Sequence, residues 1–180
     1  MTQPDLTTGR FYLRPPRPED APDIAAACGT PGFTRWTRLP QDYRLEHAER
    51  FIARENPLKP SWMVLDAVTG RVQGWVGLFF EEGVTDRAEI GYWTAPWAAG
   101  QGVATEALGA LTRYGFQGLG LRRIDLVHAA DNPASCTVAR RVGYSVVEVK
   151  REAFERDGKS YDAELHARLS TDPDSPLRQD

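Results

Sequence analysis

Residues 89–107 read EIGYWTAPWAAGQGVATEA and lead from a strand pattern through a glycine loop into a helical pattern. The residues before Pro96 are rich in the β-branched and aromatic types that favour strands. Apolar residues recur at helical spacing from Val103 onward. Because the first N–H groups of a helix have no partner within it, a strand followed by Gly100-Gln101-Gly102 and a helix start predicts an anion site, above all for phosphate.

Two other phosphate-binding patterns fit this glycine loop less well. A P-loop needs a lysine directly after its last glycine, and none follows Gly102. A dinucleotide fingerprint needs glycine or alanine where this chain has Thr105, and an acidic residue ending the next strand, whereas Asp125 lies inside that strand. A plain strand-to-helix turn with glycines at convenient positions is the remaining alternative to a ligand site.

Hydrophobic periodicity, Pro and Gly divide the rest of the chain into seven strands and four helices. Their order is β-α-α-β-β-β-α-β-α-β-β, an antiparallel meander followed by one β-α-β crossover. This order predicts a single α+β domain over residues 1–169, with a twisted, mixed and mostly antiparallel sheet, and a disordered tail over residues 170–180. The predicted strands cover 10–14, 61–67, 72–80, 87–94, 123–128, 144–150 and 160–169, and the helices 19–28, 44–56, 103–117 and 132–143.

Composition narrows the class of protein. The chain has 180 residues, a formal net charge of -3 and 41% hydrophobic residues, so nucleic acid is not a favoured partner. Cys28 and Cys136 form neither a metal-ligand spacing nor a disulfide framework, which favours a reducing cytoplasm and no metal. No run approaches the roughly 20 apolar residues of a membrane span, and Pro4 and Asp5 stand where a signal peptide would need an apolar run.

Several motifs occur in a set order along the chain: EIGYWTAP at 89–96, GQGVATEA at 100–107, NPAS at 132–135 and GY at 143–144. With the opening RFYLRPPRPED, they resemble the RimJ/RimL-type branch of the GNAT acetyltransferase superfamily over about residues 10–168. The resemblance implies the GNAT fold, acetyl-CoA as co-substrate, and transfer of its acetyl group to a primary amine. Dimers are common in the branch, so a homodimer is a further expectation from the resemblance.

The resemblance assigns the pyrophosphate of coenzyme A to the glycine loop, the thioester carbonyl to a backbone N–H near Tyr92–Thr94, and the pantetheine arm to Asn132. Asn132 is equally a good helix N-cap. Family members often place an arginine beside the first glycine, where this chain has Ala98-Ala99, so backbone amides must carry more of the binding. The cofactor-binding candidates are Tyr92, Trp93, Thr94, Ala99, Gly100, Gln101, Gly102, Val103, Ala104, Thr105, Asn132 and Ser135.

Two residues are candidates for catalysis. Many GNAT enzymes protonate the leaving thiolate from a tyrosine whose position here is Ala139, and in the RimJ/RimL-type branch Ser135 is the suggested replacement. The alternative for Ser135 is a small hydroxyl tolerated in a first helical turn. Glu89 is the first candidate for a base acting through water, and its alternative is a solvated strand carboxylate. His128 ends a strand near the site, whereas His166 is interpreted as structural.

The acceptor is predicted from weaker signals. Phe33, Trp36 and Tyr43 lie in an irregular segment that shapes the acceptor pocket in this superfamily, although they could instead cap the core. An α-amine with a pKa of roughly 8 is partly neutral near pH 7, unlike a lysine at roughly 10.4, so a chain without a clear catalytic dyad favours an N-terminal α-amine.

These observations predict direct attack by a protein or peptide N-terminus in a ternary complex. One alternative is a small-molecule amine such as an antibiotic, a polyamine or an amino-acid derivative. Another is a non-catalytic acyl-CoA-binding domain.

Overall fold

A computed structural model describes residues 3–37, 39–54, 56–156 and 158–173. Over these residues the chain forms one eight-stranded sheet in the order β1-β2-β3-β4-β5-β6-β8-β7, with four α-helices. The elements are β1 (Leu6–Thr7), β2 (Phe11–Arg14), α1 (Ala21–Cys28), α2 (Leu45–Ala53), β3 (Ser61–Asp66), β4 (Val72–Phe79), β5 (Arg87–Thr94), α3 (Val103–Gln117), β6 (Arg123–Ala129), α4 (Pro133–Arg141), β7 (Ser145–Arg156) and β8 (Lys159–Leu169).

The predicted mixed, mostly antiparallel sheet with four helices is confirmed, with differences at the ends of elements. The first strand, β1, was not predicted because two residues are too few to show a periodicity. β7 continues to Arg156 instead of ending at Lys150, across a register shift between Lys150 and Phe154. Glu152 lies in this shift with φ 48°, so the bulge interrupts the alternation by which a strand is recognised.

Alternate residues of β3 show how the sheet separates two apolar clusters. Trp62 and Val64 pack on the face covered by α3 and α4. Met63 and Leu65 pack on the face covered by α1 and α2. The central strands of the sheet are therefore buried on both sides, whereas the edge strand β7 is mostly exposed, and each functional side chain can be assigned to one face.

The strand pairing is antiparallel except between β5 and β6, which form the one parallel pair among the described strands. Their register runs from Arg87 opposite Arg123 to Glu89 opposite Asp125 and stops there, although both strands continue. α3 is the crossover helix between them. A gap between the carboxyl ends of parallel strands is where open α/β sheets bind ligands, so this opening places the candidate site.

The segment after β8 is described as far as residue 173. Ser170 N–H donates to Arg122 O (3.0 Å) and Leu169 N–H to the Asp172 carboxylate (2.8 Å). The prediction of a disordered tail otherwise concerns residues 174–180, which lie outside the described residues. Within the described chain, none of the helices has the length and apolar composition needed to cross a membrane.

Candidate active site

The glycine loop has the backbone conformation that its sequence requires. A short 3-10 turn, Pro96–Ala98, follows β5, and Gly102 is the N-cap of α3. Gly100 (φ 76°) and Gly102 (φ 81°) both adopt the left-handed region, which costs a residue with a side chain roughly 1–2 kcal/mol. Glycine at these two positions lets the chain turn directly from β5 into α3.

The start of α3 presents unpaired amide donors. Gly102 has no side chain to cap the helix. Glu106 N–H is the first to bond back, to Gly102 O at 3.0 Å. Across the described chain, the N–H groups of residues 102–105 have no protein acceptor. Four donors at the positive end of a 15-residue helix form a site for an anion.

Arg10 lies beside this loop, a placement that the sequence analysis missed. Its Nη2 donates to Gln101 O (3.1 Å) and its Nε to the Glu106 carboxylate (2.8 Å). A Cβ added to Gly102 would lie 3.1 Å from Arg10 Nη2. The side chain is 62% exposed, so the cation borders the anion site from the solvent side. Because Arg10 precedes Gln101 by 91 residues, no local motif could indicate the contact.

The start of α4 differs from that of α3, because the side chain of its N-cap residue accepts a hydrogen bond from a backbone N–H of the first turn. Asn132 Oδ1 accepts the Ser135 N–H (3.2 Å), and Pro133 holds the first helical position. The interpretation of Asn132 as an N-cap is therefore confirmed. The cap fixes the first turn of α4, and with it Ser135, against the sheet.

Ser135 meets Tyr92 of β5. The Tyr92 hydroxyl donates to Ser135 Oγ at 3.0 Å, so the serine's own proton is free to point elsewhere. Burial raises the pKa of Tyr92 above its ordinary value of 10.0, while the bond to Ser135 acts in the opposite direction. Tyr92 thus keeps its proton at neutral pH. Three separately predicted site residues, Tyr92, Asn132 and Ser135, come together here.

Glu89 does not join this group. It is exposed and alternates with the buried Ala88 and Ile90, whose side chains pack on the α3 and α4 face. Its carboxylate therefore points to the opposite face, the one to which Trp93 also turns. Glu89 and Ser135 lie on opposite faces of the sheet, on either side of the opening between β5 and β6.

Each of the three predicted acceptor-site aromatics has a different partner. Phe33 packs edge-on against Trp93, with ring centroids 5.7 Å apart. Trp36 packs edge-on against Tyr161 of β8, also at 5.7 Å. Tyr43 is 9% exposed within the cluster under α1 and α2, and burial raises its pKa to about 12. Phe33 and Trp36 therefore border the face that carries Glu89, while Tyr43 belongs to the core.

His128, at the end of β6, is directed toward β8 and not toward Ser135. Its Nδ1 is 2.8 Å from Ala129 O and its Nε2 is 2.9 Å from His166 Nε2. Burial lowers the pKa of His128, and the neighbouring His166 acts in the same direction, whereas the hydrogen bond to Ala129 O and the Glu164 carboxylate act in the opposite one. The pKa is lowered overall, so the ring is neutral near pH 7. The described structure does not bring His128 to the Tyr92–Ser135 pair.

Known proteins resemble this chain along most of its length. The uncharacterised N-acetyltransferase YoaA of Bacillus subtilis (strain 168) is 30% identical over 169 residues, covering 91% of this chain and 96% of that protein. The ribosomal-protein-serine acetyltransferase of Escherichia coli (strain K12) is 35% identical over 88 residues, 49% of each chain. It is of the RimL/RimJ type, so the resemblance to that branch is confirmed.

A solved structure shares the fold. The spermidine N-acetyltransferase of Vibrio cholerae, in complex with CoA and spermine, superposes with a TM-score of 0.80 at 20% identity, covering 91% of this chain and 97% of that one. The family model described as an acetyltransferase (GNAT) domain matches residues 10–145, well over half of the chain. The chain therefore belongs to the GNAT family of acetyl-CoA-dependent N-acetyltransferases.

Proposed function

We propose that this enzyme acetylates the α-amine of a protein or peptide N-terminus by direct attack on acetyl-CoA in a ternary complex. The observation that carries the proposal is the pairing of two helix starts at the β5–β6 opening. One of them leaves four amide donors unpaired, and the other holds Ser135 against Tyr92. The similarity to a ribosomal-protein-serine acetyltransferase favours a protein acceptor.

Acetyl-CoA is bound at the start of α3 in this proposal. The pyrophosphate accepts hydrogen bonds from the unpaired amides of residues 102–105, and Arg10 supplies the cation that the loop itself lacks. The pantetheine arm enters the opening between β5 and β6 and passes Asn132. The thioester carbonyl meets a backbone N–H of Tyr92–Thr94, which stabilises the oxyanion that forms on attack.

Proton transfer is divided between the two faces of the sheet. The amine lone pair attacks the thioester carbon, and the C–S bond breaks as the tetrahedral intermediate collapses. Ser135 gives its proton to the leaving thiolate and is reprotonated by Tyr92, whose hydroxyl already donates to Ser135 Oγ. The proton lost by the amine nitrogen passes through water to Glu89, on the acceptor face. Solvent then carries a proton from Glu89 back to Tyr92, which restores both side chains for the next turnover.

The acceptor enters from the face that carries Glu89 and Trp93. Phe33 and Trp36 border this entrance, and the buried Tyr43 supports their segment from below. The β7–β8 hairpin closes the same side, since Arg156 Nη1 donates to Thr37 O at 2.6 Å. An aromatic entrance that carries the Glu89 carboxylate suits a flexible peptide end with a free amine.

The test is an acceptor panel analysed by mass spectrometry. The enzyme and acetyl-CoA are incubated with peptides that have a free α-amine, with the same peptides blocked at the α-amine but carrying a lysine, and with polyamines and amino-acid derivatives. The proposal expects acetyl groups on free α-amines and little on the blocked peptides. Preferred acetylation of a polyamine or another small amine would overturn the acceptor assignment, and acetyl-CoA binding without turnover on any acceptor would indicate a binding domain.

A further inference from the structure

Four side chains of the types that bind metals converge beneath the first turn of α4. His128 comes from β6, Cys136 from α4, and Glu164 and His166 from β8, and one potential ligand atom of each lies within 4.8 Å of the others. His128 is 8% exposed and His166 is fully buried. The group is separate from the Tyr92–Ser135 pair and has no part in the proposed transfer steps.

The distances between these atoms are close to the edges of a metal-centred tetrahedron. His128 Nε2 is 2.9 Å from His166 Nε2, and Glu164 Oε2 is 3.3 Å from His166 Nε2 and 3.6 Å from His128 Nε2. With Zn–N near 2.0–2.1 Å and Zn–S near 2.3 Å, tetrahedral geometry puts ligand atoms about 3.3–3.6 Å apart. The two separations from Glu164 Oε2 fall in this range, and the two ring nitrogens lie closer together than a bound ion would hold them.

Lone pairs of more than one of these side chains point toward the middle of the group, where a cation could bind them. His128 Nδ1 donates to Ala129 O, so with a neutral ring its Nε2 presents a lone pair. Glu164 Oε2 presents another, and His166 Nε2 lies within hydrogen-bond distance of both atoms. A backbone carbonyl that holds the outer ring nitrogen, as Ala129 O does here, is a typical partner of a metal-ligating histidine.

We propose that His128, Cys136, Glu164 and His166 bind one divalent transition-metal ion of the zinc class. Imidazole, thiolate and carboxylate together are a ligand set for zinc, whereas magnesium and calcium prefer oxygen ligands alone. His166 Nδ1 is buried without a protein partner among the described residues, so one of the two histidines lacks an orienting second bond. Affinity should therefore fall short of that of fully oriented structural zinc sites.

The ion would have a structural role, because acetyl transfer in this family needs no metal. It would tie α4 to β6 and β8 through Cys136, the residue next to Ser135. Local spacing in the sequence could not indicate the site, since its ligands come from three separate elements. The inference does not depend on the identity of the acceptor.

Zinc titration against a competing chromophoric chelator tests the site. The full chain, first dialysed against a chelator, is expected to bind one Zn²⁺ per chain with a dissociation constant of about 1 μM or below. Glu164→Gln and Cys136→Ser should each weaken binding at least about tenfold. Glu148→Gln, which removes an exposed carboxylate of the neighbouring strand β7, is the matched control and should bind as wild type does.

Cobalt binding provides a second measurement. Its absorption spectrum would not depend on Cys136 if that residue only stabilised the fold. Co²⁺ bound at the site should show thiolate-to-metal charge-transfer absorption, and Cys136→Ser should lose it while remaining folded by circular dichroism and still binding acetyl-CoA. The proposal is overturned if the folded wild-type protein shows no saturable Zn²⁺ or Co²⁺ binding. The four side chains would then be held together by hydrogen bonds alone. Equal zinc affinity in wild type, Glu164→Gln and Cys136→Ser would overturn it as well.

Discussion

The starts of α3 and α4 have the same position in the topology and opposite chemistry. Each helix follows one strand of the parallel pair and begins at the same edge of the sheet. α3 starts from Gly102, which cannot cap it, and leaves its first amides unpaired. α4 starts from Asn132, whose side chain accepts the Ser135 N–H. The N-cap residue thus decides whether a helix start binds a ligand through its backbone or holds its own side chains for chemistry.

The surroundings of the two helix starts extend this contrast. Beside α3 lies a permanent cation, Arg10, which suits a permanent anion such as pyrophosphate. Beside α4 lies a pair of neutral hydroxyls, Tyr92 and Ser135, which suits proton transfer. Binding and catalysis should therefore be separable by mutation.

Ser135→Ala should have the largest effect, on turnover alone. Removing a general acid costs roughly 10²–10⁴-fold, so kcat should fall at least about a hundredfold while acetyl-CoA affinity stays within a factor of two or so. Stopped-time acetylation assays and calorimetry measure the two quantities. Thr137→Ala, on the exposed side of the same helix, is the control and should keep its activity.

Tyr92→Phe should give a smaller loss in the same direction, because it removes the group that reprotonates Ser135 and leaves Ser135 itself in place. Unchanged turnover in Ser135→Ala would contradict the assignment of catalysis to α4.

Gly102→Val should affect binding instead. A β-branched residue does not readily adopt φ 81°, and its Cβ would press on Arg10 Nη2. Loss of two charge-assisted amide bonds at about 1.5 kcal/mol each predicts an acetyl-CoA dissociation constant about a hundredfold higher by calorimetry.

Gly120→Val is the matched control for Gly102→Val. Gly120 has a similar φ of 69°, with no atom within 4 Å of an added Cβ, at the far end of α3. It carries comparable backbone strain and should bind acetyl-CoA normally. A similar loss of affinity in both variants would indicate general destabilisation and not a ligand contact.

Arg10→Gln should weaken acetyl-CoA binding only about fivefold, because the guanidinium is exposed and also paired with Glu106. The expected signature is a shallower dependence of affinity on salt concentration than in wild type. Arg17→Gln, which removes another exposed arginine paired with a glutamate, is the control. Equal salt dependence in Arg10→Gln and wild type would exclude Arg10 from the phosphate site.

Asn132→Ala should destabilise the fold by about 1 kcal/mol, the usual cost of removing an N-cap side chain. Chemical denaturation measures this loss. The amide donors of α3 are untouched, so affinity for ADP, which contains the pyrophosphate without pantetheine, should not change. A loss of ADP affinity equal to that of Gly102→Val would remove the distinction between the two helix starts.

Changes in pH should affect the acetyl-CoA dissociation constant least and kcat/KM for the acceptor most. Backbone amides do not titrate, so the acetyl-CoA dissociation constant should stay constant between about pH 7 and 9. Because burial raises the pKa of Tyr92 above its ordinary value, its hydroxyl stays protonated between about pH 7 and 9 and causes no loss of kcat in that range.

The value of kcat/KM for the acceptor should rise with pH and level off above the pKa of an α-amine, roughly 8. A rise that continues toward pH 10 would indicate a lysine or polyamine acceptor.

The sequence could predict contacts between residues that are close along the chain better than contacts between residues that are far apart along it. The glycine loop and the Asn132 cap are local features, and their residue types alone indicate their conformation. Two motifs and a family resemblance assigned Tyr92 and Ser135 separately to the cofactor site, but the hydrogen bond between their side chains was not predicted. Arg10 could not be predicted to lie at the loop, because that contact depends on the packing of α3 across β2. The His128–His166 contact likewise required the order in which β8 returns beside β6.

Backbone amide chemical shifts test the central claim most directly. Titration of the labelled protein with ADP should shift the N–H resonances of residues 102–105 and leave those of residues 134–136 unchanged, and acetyl-CoA should shift both groups. This result would show that α3 binds the pyrophosphate and α4 faces the acyl end. If ADP leaves residues 102–105 unchanged, or shifts the start of α4 instead, the division between a binding helix start and a catalytic one is wrong.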